Sequence, residues 1–123
     1  MTVRAAVRDA VGAAAIPGVS GHQYPPTVKG AGTVWAQWVS TAVQQAFCGP
    51  PAWDETVWSV LCVLPADTPA STAMAEDAWL PRLLDALGPI GQLGACEPVD
   101  LTVSPGSAVP ALRIELTTRG GPG

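Results

Sequence analysis

The sequence predicts a single α+β domain: four mainly antiparallel strands with two helices packed on the sheet, in the order helix, two strands, helix, two strands. Three observations predict it. Two stretches carry apolar residues at helical spacing, four carry strand patterns, and Gly/Pro pairs separate them. A chain of 123 residues also suits one core rather than two.

The first helix is expected from Thr2 to Ala15. Thr2 is placed to cap it, and Val3, Val7, Ala10, Val11 and Ala14 form one apolar stripe. Pro17-Gly18 ends it. The Gly- and Pro-rich stretch from Val19 to Thr33 reads as one long loop, a length that in compact domains usually marks either a functional or a disordered segment.

Thr33 to Val43 reads as a strand rich in Val, Thr and Trp, with Trp35, Gln37, Val39, Thr41 and Val43 on one face. Phe47 to Asp54, with Gly49-Pro50-Pro51 inside it, is expected to be the turn of a hairpin. Thr56 to Leu64 is apolar on both faces, which suits a central strand covered on both sides, and Pro65 stops it.

Thr68 before Pro69 is a strong helix start, and Ala75, Trp79, Leu83 and Leu87 continue the pattern, with Leu80 and Leu84 beside them. Pro81 lies inside this run and is expected to kink or split the helix. Ala95 to Val103 and Val109 to Thr118 give the last two strands around the Ser104–Ser107 turn. The domain is set at 1–118, with 119–123 as a flexible tail.

The sequence supplies little for chemistry. His22 is the sole histidine, and neither Cys48, Cys62 nor Cys96 has the setting of a nucleophile paired with it. The three cysteines include no C-x-x-C pair and read as small buried hydrophobes in a reducing cytoplasm. Asp54-Glu55 and Glu76-Asp77 diverge on any regular element, and Gly30-Ala31-Gly32 lacks the remainder of a phosphate loop. No catalytic residue, metal ligand or cofactor site is assigned, and the chain is not read as an enzyme. Six scattered basic residues on a chain of net charge −4 argue against direct nucleic-acid binding. No apolar run has the length of a membrane span, and Asp9 interrupts what otherwise resembles a secretion signal, so the cytoplasm is the expected site of synthesis.

Composition points elsewhere. Apolar residues make up 48% of the chain and charged ones 13%, with five Trp beside one Phe and one Tyr. A weakly charged, Trp-rich surface suits a subunit that buries it against neighbours. Trp35 and Trp38 are three apart on a strand and point to opposite faces, and Trp53 falls in the expected hairpin turn. With Tyr24 of the long loop, these three are the candidate interface residues.

Several segments carry a resemblance: Ile16-Pro17-Gly18-Val19; Trp58-x-Val60-x-x-Val63-Leu64-Pro65-x-Asp67; Leu80-Pro81-x-Leu83-Leu84-Asp85-Ala86-Leu87; Glu97-Pro98; and Pro110-Ala111-Leu112-x-Ile114. In their order and punctuation they resemble the tail terminator (minor tail) proteins of long-tailed phages of actinobacterial hosts, from about Val3 to Thr118. The resemblance implies a compact α+β subunit, a homohexameric ring on the tail tube protein, and a docking surface for the head-closure or connector protein. It also implies DNA passing through the ring without sequence-specific contacts, no catalytic residues, and a place at the head–tail neck of the virion. Another neck protein, for head closure or tail completion, shares these features; a small-molecule binding or enzymatic α+β domain is the reading from a different class.

Overall fold

A computed structural model describes residues 2–45 and 51–119. The elements are α1 (Val3–Ala14), β1 (Ser20–Gly21), β2 (Thr33–Gln45), β3 (Pro51–Val63), α2 (Pro69–Leu87), β4 (Gln92–Ser104) and β5 (Ser107–Arg119). Five strands form one mixed sheet in the order β1-β2-β3-β5-β4. The α+β class with two helices is as expected; the sheet has one strand more.

That extra strand, β1, lies in the stretch expected to be loop and runs parallel to β2 through Ser20↔Thr33 and Gly21↔Val34. Two residues carry no alternation to detect. Its position depends on close backbone approach: Gly32 N–H donates to Val63 O at 2.7 Å, and Gly32 O accepts from Ser20 N–H at 2.9 Å.

The helices begin as their caps dictate. Thr2 accepts from Ala5 N–H at 3.1 Å, and at α2 Thr68 and Ser71 satisfy each other's backbone donors in a capping box with Pro69 just inside. α1 ends at Ala15, a non-glycine residue with φ of 50°, and Ile16 beyond it is buried. Arg82 of α2 donates to Ala14 O at 2.8 Å, so one helix supplies a cation to the open carbonyls of the other. α2 runs through Pro81 as one helix, so of the two expected outcomes, a kink or a split, the split does not occur. Pro81 and Asp77, whose carbonyl loses its partner, are both exposed, so water can take that carbonyl's bond.

Both helices lie on one face of the sheet. Val7 and Val11 of α1 and Ala75, Leu83 and Leu87 of α2 pack on Val34, Ala36, Trp58, Val60, Cys62, Leu112, Ile114 and Leu116. Full burial of each large aliphatic side chain is worth about 1.5–3 kcal/mol. The opposite face holds a smaller cluster of Trp35, Leu61 and Val63, flanked by Val99, Leu101 and Val109. β3 is thus covered on both faces, as its two-sided apolar pattern requires. Among the described residues no helix is long and apolar enough to cross a membrane.

Two boundaries differ from expectation. β2 and β3 extend past the core as a hairpin arm, paired as far as Gln45↔Pro51, so Trp53 belongs to β3 and not to a turn. β5 runs through Arg119, which pairs with Glu55, one residue beyond the expected domain limit; Gly120–Gly123 lie outside the described residues.

Of the cysteines, Cys62 is buried and its thiol is pushed up to about 12 by desolvation, whereas Cys96 is exposed, against the expectation of burial. Cys96 sits on β4, where neither helix covers it. Cys48 lies outside the described residues. Iodoacetamide at pH 8 followed by peptide mapping is expected to label Cys96 and spare Cys62 in the folded chain, and to label both in denaturant. Equal labelling of the two in the native protein would contradict the packing of β3.

Candidate docking surface

The arm lies beyond the start of α1, where Arg4 reaches Ala36 and Trp58 and residues 37–40 of β2 become exposed. Over the core, even-numbered residues of β2 (Val34, Ala36) face the helices and Trp35 faces away. Trp38 continues the helix-facing side, opposite Trp58 in register. Bulges between Trp38 and Ser40 and between Thr41 and Val43 then change the phase. Thr41 accordingly shares Trp38's side: Trp38 Nε1 donates to Thr41 Oγ1 at 2.8 Å, and Thr41 Oγ1 lies 3.0 Å from Thr56 Oγ1. The simple alternation read from the sequence, with Thr41 on the face of Trp35, fails at the first bulge.

These bonds satisfy the polar edge of the Trp38 indole and fix the ring, which remains 49% exposed. Val39 and Val43 are 47% and 51% exposed on the same strand. No charged residue occurs anywhere in Thr33–Gln45. A held, half-exposed indole beside two exposed valines on an uncharged strand is the composition of an interface centre, where aromatic side chains are enriched and charges depleted.

Beside the arm, Arg4 of α1 ties three elements together. Its guanidinium lies 5.4 Å from the Trp58 ring centre and 5.9 Å from that of Tyr24, and it donates to Ala36 O at 2.9 Å. Trp58 is fully buried beneath it, with Nε1 donating to Thr118 at 3.2 Å. Tyr24 is 63% exposed on the outer side of Arg4, which brings it to the same end of α1 as the arm.

Of the four residues singled out from sequence, Tyr24 and Trp38 are therefore surface groups. Trp35 is 1% exposed, inside the second cluster with Lys29 5.9 Å from its ring, and presents no surface to a partner in this conformation. Its Nε1 is buried without a hydrogen-bond partner. Trp53 lies on β3 opposite Val43, and its side chain is outside the described residues. Val39 and Val43 were missed, because exposure of a valine on a strand depends on where the helical layer ends.

No family model, curated protein or solved structure matches the chain.

Groups with reactive potential stand apart from one another. His22 Nε2 lies 3.2 Å from Ser20 Oγ, a nucleophile–base pairing in type, but among the described residues no carboxylate is bonded to that histidine. No group of three or more His, Cys, Asp or Glu among the described residues is placed to hold a metal ion. A cleft of about 790 Å³ lies between the start of α1, the Pro89–Gln92 segment and the end of β5, with Glu55 and Arg119 in its wall. Neither Ser20 nor His22 lines it.

Proposed function

We propose that this chain is a tail terminator of a long-tailed phage, a subunit that closes into a ring on the finished tail tube, stops its growth and receives the head-closure or connector protein. The resemblance running from Val3 to Thr118 motivates this reading, and one observation carries it: the uncharged β2 strand of the arm, with Trp38, Val39 and Val43 exposed. Such a surface is costly on a solitary subunit and useful in an assembly. A closed ring needs two different, mutually complementary patches on each copy. The arm is one, and the acidic, scattered-charge remainder of the molecule leaves DNA free to slide through a central opening.

Light scattering on the complete chain tests the ring. Six copies of 12.5 kDa give about 75 kDa, the expected mass; a 12.5 kDa particle at every concentration would remove the ring.

A small-molecule binding domain is the second reading, favoured by the cleft of about 790 Å³ with Glu55 and Arg119 in its wall. It gives no role to the exposed arm, which is why the ring is preferred.

A further inference from the structure

The sheet has two outer edges, and they differ in chemistry. On one side β1 covers β2 only at Thr33 and Val34, and Arg4 occupies the carbonyl of Ala36. From Gln37 to Gln45 no described strand lies along the outer side of β2. On the other side, no described strand lies along the outer edge of β4. An unpaired edge is a row of donors and acceptors at strand spacing, a template for another strand. β4 carries the charges of Glu97 and Asp100, which disfavour pairing with a second β4, and Pro98, which removes one N–H donor from the row. β2 carries no proline, no glycine and no charge; only the one extra residue between Trp38 and Ser40 disturbs the edge, the second register shift having its extra residue in β3.

We propose that the outer edge of β2 in one copy pairs with the outer edge of β4 in a second copy, and that this strand-to-strand join is the repeating contact of the ring. The inference rests on the ring reading above. Three edge-to-edge joins are available. Pairing β2 with β2, or β4 with β4, uses the same patch twice and ends at a dimer. Only β2 with β4 leaves a free edge of each kind to repeat.

Strand direction agrees. β2, β3, β5 and β4 alternate in direction across the sheet, so β2 and β4 run opposite ways. Copies related by rotation about an axis along the strands therefore meet in antiparallel pairing, which needs no reversal. Charge agrees as well. An uncharged β2 meets Asp100 without repulsion, whereas β4 against β4 sets acidic strands against each other.

Paired charge substitutions on the complete chain test the join, read by sedimentation velocity. Val39 and Val43 are exposed, so either charge is compatible with folding, and the lysine pair controls for it. The parent and the Val39→Lys/Val43→Lys variant are expected to sediment as the ring. Val39→Glu/Val43→Glu, facing acidic β4, is expected to fall sixfold in mass to the single chain, and adding Asp100→Lys is expected to restore the ring. If the glutamate pair leaves the ring intact, the join is overturned and the ring reading stands. If both charge pairs dissociate it alike, β4 is not the partner and the join is overturned. A parent that never exceeds one chain overturns join and ring together.

Discussion

Leu83→Asp is expected to abolish folding, giving a chain that is insoluble on expression or, if recovered, shows no cooperative thermal transition. Leu83 is fully buried on α2 against the central strands. Removing a buried leucine side chain costs about 2–5 kcal/mol. The aspartate adds the burial of a polar group without a partner, at about 2–7 kcal/mol. Together these are comparable to the whole stability of a domain, about 5–15 kcal/mol. Leu84 is only partly buried, so Leu84→Asp is expected to be the milder of the two. A soluble Leu83→Asp variant with an unchanged melting curve would mean that α2 presents a different face to the sheet.

Gly32→Ala carries the second large effect, through the backbone. Gly32 has φ of 85°, and a Cβ built there lies 1.8 Å from Gly18 O and 2.9 Å from Gly18 C. Both are main-chain atoms that cannot swing aside, and a left-handed conformation strains an alanine whatever the space. Relief requires breaking the bonds from Gly32 N–H to Val63 O and from Ser20 N–H to Gly32 O, which hold β1 and the head of β2 in place. The expected loss is about 3–4 kcal/mol, near the top of the usual range for one substitution, or roughly 10–20 °C in Tm. Gly30→Ala two residues away meets nothing within 4 Å and has no left-handed φ, so its melting curve is expected to be that of the parent. Equal melting of the two variants would contradict the packing of residues 18–34.

Local pattern made much of this fold legible. Thr2, Thr68 and Pro69 announce helix starts because capping is decided within four residues of chain. The two-sided apolar run from Thr56 to Leu64 announces a central strand because burial on both faces excludes polar residues there. What the pattern left hidden depends on distant partners. β1 exists only because Gly32 lets residues 18–21 approach β2. The reach of the arm through Trp53 is set by cross-strand pairing, over residues whose Gly/Pro content reads as a turn.

The candidate surface shows the same division. That Trp35 and Trp38 point to opposite faces follows from strand geometry and agrees with the register. Which of them is buried does not follow from it. Trp35 is enclosed by Lys29 and the second cluster, and Trp38 is left uncovered where the helical layer ends. The bulge between Trp38 and Ser40 that carries Thr41 to the side of Trp38 leaves no mark in a strand without glycine.

Electron microscopy of phage tails assembled without this chain tests the account most directly. The proposed role predicts over-long tails of variable length, detached from filled heads, because nothing stops the tube or offers a seat to the connector. Tails of normal, uniform length, with DNA lost from otherwise complete heads, would contradict tail termination and assign the chain to closure of the head.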